Sequence, residues 1–147
     1  MRVFQFECEQ FIARPVTDVF PFFADARNLQ AITPDWLNFE VVTPGKIEMK
    51  PGALIDYKLR VHGLPLRWRT LIREWEPPHR FVDEQLRGPY RQWIHEHTFT
   101  EQDGGTLAKD KVLYAVPGGA LINALFVRRD VERIFAFRRQ RLAELLV

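Results

Sequence analysis

His95 and His97 stand two apart in the stretch Tyr90-Arg-Gln-Trp-Ile-His-Glu-His-Thr-Phe99. In a β-strand, side chains alternate between faces, so Trp93, His95, His97 and Phe99 point the same way. The large rings at either end mark that face as the buried one. A buried imidazole is costly unless it meets a partner, and Val or Ile would serve a chain that only had to fold. The pattern therefore implies a cavity with something in it.

The partners of these histidines come from the flanking runs. The turn Asp103-Gly104-Gly105 leads into Ala108, Asp110, Val112 and Tyr114, and either plausible register sets Asp110 opposite His95 or His97. On the other flank, Phe81, Asp83 and Gln85 share the same face if parity is kept through the Gly88-Pro89 turn. The expected cluster is Asp83, Gln85, His95, His97 and Asp110 beside Trp68, Trp93 and Phe99.

Such a cluster admits several chemistries. It can line a mostly apolar pocket and orient the polar end of a small ligand. A carboxylate-oriented histidine can act as general acid or base, with His95, His97 and Asp110 as the catalytic set. His-X-His with one or two aspartates can also hold a divalent metal. A hydrogen-bonded network with no ligand uses the same residues. We expect no metal, because a structural zinc wants four ligands dominated by Cys or His and no second Cys/His pair exists. No cofactor is expected either, since no Gly-rich phosphate loop or dinucleotide fingerprint occurs.

Other candidate groups carry less. Ser is absent, which excludes serine nucleophiles. Cys8 is the only cysteine and reads as a buried structural residue, without a disulfide framework. His62 and His79 flank turns and are expected to face solvent.

The elements that must position the cluster follow from punctuation. Pro44-Gly45, Pro51-Gly52, Gly63-Leu64-Pro65, Pro77-Pro78, Gly88-Pro89, Gly104-Gly105 and Pro117-Gly118-Gly119 separate short runs of period-2 alternation. The first strand is expected at about Arg2 to Ile12. Two short helices follow, from Pro15 to Ala24 and from Asp25 to Ala31, with Pro21 an awkward guest in the first. Ile55, Tyr57, Leu59 and Val61 oppose Leu66, Trp68, Thr70 and Ile72 in a hairpin about Gly63, with Val61 facing Leu66 and Leu59 facing Trp68. Further strands are expected at about Phe81–Leu86, Tyr90–Thr100 and Thr106–Val116. A long helix closes the chain from about Gly119 to Leu146, with Val127, Val131, Ile134, Leu142 and Leu145 as its apolar stripe. Arg138 interrupts that stripe, either as a snorkelling side chain or as a cation reaching into a cavity.

The 147 residues suit one domain, 1–147, with an ordinary share of hydrophobic residues at 46%. A formal charge of +2 implies no strong field for polyanions, and the arginines of the C-terminal segment lack interleaved stacking aromatics. Nucleic acid is not an expected partner. The N-terminus lacks the apolar run of a signal peptide, and the longest uncharged stretch, Ala115 to Val127, is too short to span a bilayer. A cytoplasmic protein without stable membrane insertion is expected, and a homodimer stays open.

The order strand, two short helices, meander and long final helix resembles the helix-grip fold of the SRPBCC superfamily. START lipid-transfer domains, pollen-allergen-type proteins, polyketide aromatase/cyclases and ubiquinone-binding proteins belong to it. The resemblance spans essentially the whole chain. It rests on Phe11-Ile-Ala-Arg-Pro-Val-Thr-Asp-Val-Phe-Pro-Phe-Phe-Ala-Asp-Ala-Arg-Asn-Leu29, on Phe81 to Phe99 and on Gly105 to Gly119. It is similar above all to small bacterial members, some fused ahead of epimerase-like domains; no such partner domain is expected here. The resemblance implies an α+β fold, a seven-stranded antiparallel sheet wrapped around the C-terminal helix with a cavity between them. It implies an apolar or amphipathic ligand such as a lipid, isoprenoid, quinone or polyketide-like aromatic. Tyr57, Trp68, Trp93 and Phe99 would wall that cavity. Asp83, Gln85, His95, His97, Asp110 and Arg138 would meet the ligand's polar group. An aromatase/cyclase- or dehydratase-like enzyme is the competing expectation.

Overall fold

A computed structural model describes residues 1–147. Strand β1 spans Phe4–Ile12, followed by helix α1, Val16–Ala24, and two 3₁₀ segments, Ala26–Ile32 and Asp35–Leu37. Then come β2 (Glu40–Val41), β3 (Leu54–Val61), β4 (Leu64–Glu76), β5 (Arg80–Arg87), β6 (Gln92–Gln102) and β7 (Gly105–Ala115). The C-terminal helix runs continuously as α2 (Gly119–Ile122), a π-helical turn (Asn123–Val127) and α3 (Arg128–Leu145). All seven strands form one antiparallel sheet in the order β1-β7-β6-β5-β4-β3-β2. This is the helix-grip arrangement.

Local chemistry accounts for the elements. Pro15 stands at the N-cap of α1, where its missing N–H costs nothing. Pro21 lies inside that helix and points outward, while Val16, Val19 and Phe20 are buried. The Asp25 carboxylate accepts from Arg27 N at 3.0 Å and caps the 3₁₀ segment that follows. Each strand alternates as its sequence demands: in β3, Ile55, Tyr57 and Leu59 are buried, and in β6, His95, His97 and Phe99 are.

Two expectations need correction. The β3–β4 hairpin pairs Val61 with Leu64, Leu59 with Leu66 and Tyr57 with Trp68, two residues tighter than expected. His62 and Gly63 both take positive φ, +49° and +80°, as a two-residue turn requires. A shift of two preserves parity, so the apolar faces still coincide. The buried stripe of α3 is Val131, Phe135, Arg138 and Leu142, with Leu146 beyond its end. Ile134 instead lines the cavity, and Leu145 is exposed.

The core divides around the cavity. One cluster joins α1, the 3₁₀ segment, β6 and the distal part of α3 through Val19, Phe20, Ile32, Phe99 and Leu142. A second joins β1 and β7 to the helix through Phe6, Val112, Tyr114 and Phe135. The third lies on β3 and β4 around Ile55, Tyr57 and Ile72. Between them the concave face of the sheet stands off from the helix.

Candidate functional site

The space between sheet and helix is a cavity of about 780 Å³. Of its 37 lining residues 23 are hydrophobic, which makes it a site for a molecule with large apolar area. Trp68 and Trp93 meet edge to face at 5.5 Å, and Tyr90 packs on both. Phe22, Phe23, Phe135 and Tyr57 extend the apolar wall.

On this wall sits one polar constellation, built by three adjacent strands and the helix. Asp83 lies opposite His95 in the β5–β6 ladder, and Asp110 lies opposite His97 in the β6–β7 ladder. The hydrogen bonds run diagonally instead. His95 Nε2 and Asp110 Oδ1 are 2.7 Å apart; His97 Nε2 and Asp83 Oδ2 are 2.6 Å apart. With the carboxylates ionised, the hydrogen belongs to each imidazole, so each Nε2–H donates. Asp83 reaches this position through the regular β5–β6 register, which sets Phe81 opposite His97 and Asp83 opposite His95.

The two imidazoles stack with centroids 3.6 Å apart and planes inclined by 25°. Phe81 continues the stack at 4.0 Å from His97. Arg138 reaches in from α3, with Nη2 3.3 Å from Asp110 Oδ1, and its guanidinium lies near the Phe23 and Phe135 rings. Cys8 Sγ–H points at Asp110 Oδ2 from behind, at 3.8 Å. Burial, with the Asp110 charge next, pushes that thiol up to about 12, and no nucleophile results.

Electrostatics follow the geometry. Burial alone would raise the Asp110 carboxyl, but the Arg138 charge and the His95 bond outweigh it and hold it well below the usual carboxylate range. Asp83 is likewise pushed up by burial and pulled down further by His97 and His95. His97 is lowered to about 4, first by burial and then by the adjacent His95, against the pull of Asp83. Two carboxylates, Asp83 and Asp110, stand against the one guanidinium of Arg138 in this cluster. His97 Nδ1 and Arg138 Nε are buried without a hydrogen-bond partner.

Asp83, His95 and His97 also bring three ligand atoms within 4.8 Å, the set that could hold a cation. Stacking works against this use, because face-to-face rings direct their lone pairs side by side. A metal would need one ring to turn so that the lone pairs converge.

Among the residues singled out from sequence, Tyr57, Trp68, Asp83, Trp93, His95, His97 and Arg138 line the cavity. Asp110 stands one layer behind, bonded to His95 and Arg138. Gln85 does not reach the cluster. Its amide clasps the β5–β6 turn, donating from Nε2 to Tyr90 O at 2.8 Å and accepting from Tyr90 N at 3.1 Å. Phe99 packs in the core against Phe20 and Phe23 rather than on the cavity wall. His62 is exposed as expected, yet its Nε2 meets Asp130 Oδ2 at 2.8 Å, joining the hairpin tip to the helix. Tyr90, Phe23 and Phe135 were not singled out. Phe135 sits one residue off the expected stripe, and a stripe centred there would have shown it.

A curved sheet closed over one long helix, with an apolar cavity between, defines the helix-grip class. Residues 12–138 match the family model described as "Polyketide cyclase / dehydrase and lipid transport", and the chain belongs to that family. Among solved structures it is similar to protein Ms6760 from Mycobacterium smegmatis, with a TM-score of 0.71 and 22% identity over 99% of this chain and 96% of that one. The di-domain ARO/CYC StfQ from the steffimycin biosynthetic pathway gives a TM-score of 0.77 at 15% identity, over 98% of this chain and 50% of that one. A nucleoside-diphosphate sugar epimerase from Corynebacterium glutamicum gives 0.71 at 25% identity, over 95% of this chain and 28% of that one. No curated protein matches the sequence.

Proposed function

We infer that this protein binds and carries an apolar or amphipathic small molecule in the cavity between sheet and helix. The observation that carries this reading is the cavity: about 780 Å³, mainly hydrophobic, with one buried, mutually hydrogen-bonded polar cluster on its wall. At about 30 Å³ per water that volume equals roughly 26 waters. One chain or a few fused rings fit it. In this reading the aromatic wall of Tyr57, Trp68 and Trp93 holds the ligand's body, while His95, His97, Asp83 and Arg138 meet its polar group. Asp110 holds His95 and Arg138 in place, and Gln85 and Phe99 support the frame. Native mass spectrometry of the protein isolated from its own host, followed by extraction, tests this. A stoichiometric organic ligand is expected; a protein that is empty and takes up nothing from a lipid and quinone panel overturns it.

A second reading draws on the 2.7 Å bond that fixes the His95 ring against Asp110. A carboxylate-oriented imidazole beside a cavity is equipped for the acid–base steps of a cyclase or dehydratase. His97, at about 4, is too weak a base for neutral pH, so such chemistry would run through His95. Turnover of a bound ligand that is lost in His95→Gln with binding retained would establish the enzyme. Unchanged ligand on prolonged incubation leaves the carrier.

A further inference from the structure

One end of the cavity is framed by three segments: the β3–β4 turn at 60–64, the β5–β6 turn at 86–91, and the helix entry at 117–129. Gly63, Pro89, Tyr90, Pro117 and Ile122 all line the cavity there. The His62–Asp130 bond ties the first segment to the helix, and Tyr90 ties the second to Trp68 and Tyr114 by ring contacts.

Each of these segments presents apolar side chains outward. Leu64 is 62% exposed, Leu86 52%, Leu121 67%, Leu125 57% and Phe126 56%. Single exposed hydrophobics are ordinary, but five on the three segments at one end of the sheet are a concentration. The π-helical turn Asn123–Val127 contributes to the grouping. Hydrogen bonding from i to i+5 widens the spiral, so Leu125 and Phe126 come towards the side of Leu121 in the preceding turn.

The charges in the same segments have one sign. Arg60, Arg87, Arg91, Arg128 and Arg129 fall within them, with no Asp or Glu. Two acids follow at once on the helix: Asp130, which is hydrogen-bonded to His62, and Glu132, which pairs with Arg128 at 2.9 Å. Arg60, Arg87, Arg91 and Arg129 are the arginines left over for an anionic surface. The net charge of +2 for the whole chain hides this local concentration.

We propose that this end of the molecule docks on an anionic lipid bilayer, so that the cavity opens against the membrane surface. Apolar side chains backed by arginines match a layer in which acyl chains lie beneath anionic headgroups. Arginine stems reach along apolar surface while the guanidinium stays at phosphate level. A second copy of the chain fits poorly, because a two-fold contact would set arginines against arginines. Docking needs no spanning element, and no helix here is long and apolar enough to cross a membrane. An apolar ligand could then pass between bilayer and cavity with little exposure to bulk water.

Co-sedimentation of the full chain with phosphatidylglycerol-containing vesicles and with pure phosphatidylcholine vesicles tests the proposal. Binding to the anionic vesicles, weakened by salt, is expected, with little to the zwitterionic ones. Leu121→Gln/Leu125→Gln/Phe126→Gln should lower partitioning roughly tenfold or more. Arg91→Gln and Arg129→Gln should each lower it about fivefold. Unchanged uptake of an apolar fluorescent probe by these variants shows that fold and cavity are intact, which separates this result from the carrier reading. If the triple variant melts early, Leu64→Gln/Leu86→Gln on the two hairpin turns gives the same readout. Wild-type protein that ignores anionic vesicles, a folded variant that binds as wild type, or a dimer dissolved by the apolar substitutions overturns the proposal.

Discussion

At the scale of residues, the polar cluster is held by crossed pairs. Each aspartate stands opposite one histidine and bonds the other, because side chains on strands lean along the strand as well as out from it. Alternation in the sequence was enough to place both histidines and Asp110 on one buried face. It could not specify the diagonal, and it left the side of Asp83 hanging on the parity of the Gly88-Pro89 turn, which the regular β5–β6 register keeps. Arg138 was legible only as a break in a stripe; the Asp110 carboxylate explains the break. Removing that guanidinium leaves a buried negative charge, so Arg138→Leu should cost about 3 kcal/mol. Asp110→Asn in the same chain should recover a substantial part, and additive losses in the double-mutant cycle would deny the coupling.

The same cluster sets a pH dependence. The folded His97 titrates at about 4 against an ordinary value near 6.5, so between those values the unfolded chain binds more protons. Stability is therefore present above pH 6.5 and lost as pH falls towards 4, by at most about 1.4 kcal/mol per pH unit. Asp83 and Asp110, held below the usual range, add further loss in the same direction below about pH 4. Urea unfolding midpoints at a series of pH values check the sign. A profile flat from pH 7 to 4.5, or one that His97→Gln leaves unaltered, would contradict it.

At the scale of elements, the final helix works in two ways along its length. Phe135 is buried against Phe6, with centroids 4.9 Å apart, and adds to the cavity wall, whereas its neighbour Ile134 is only half-buried on that wall. Periodicity alone favoured Ile134, because nothing in the sequence tells a helix position that meets a side chain from one that meets a void. Phe135→Ala should cost about 3–5 kcal/mol, the usual loss for a truncated core aromatic. Ile134→Ala should cost less, since the space it vacates joins a cavity that already exists. Equal losses in thermal unfolding would mean that the wall is packed rather than open. The hairpin shows another limit of sequence. Parity survived because the error was two residues, but only the backbone shows that His62 takes the second positive φ of the turn.

At the scale of the whole molecule, the order of strands and the closing helix could be read from turn punctuation, since each proline and glycine cluster ends a run of alternation. The two-residue strand β2 could not, because Glu40-Val41 is too short for any period. The cavity was implied by buried polarity, but its volume comes from how the sheet curves away from the helix. One further consequence lies in the connectivity. The strands from β3 to β7 are joined in sequence order, whereas β1 must find β7 across a separation of 102 residues between Cys8 and Asp110. Closing that long loop is entropically costly, so the meander should assemble first and the β1–β7 edge late. Pulse-labelled hydrogen exchange during refolding should show the β3–β4 amides protected before those of β1; the reverse order would refute this. A ribosome delivers the parts in an awkward sequence as well. The helix that roofs His95 and His97 follows every strand, so the nascent sheet, though α1 can already cover Phe81 and Phe99, has the rest of its concave face uncovered until that helix emerges. That interval is when the protein is most open to aggregation or to capture by a chaperone.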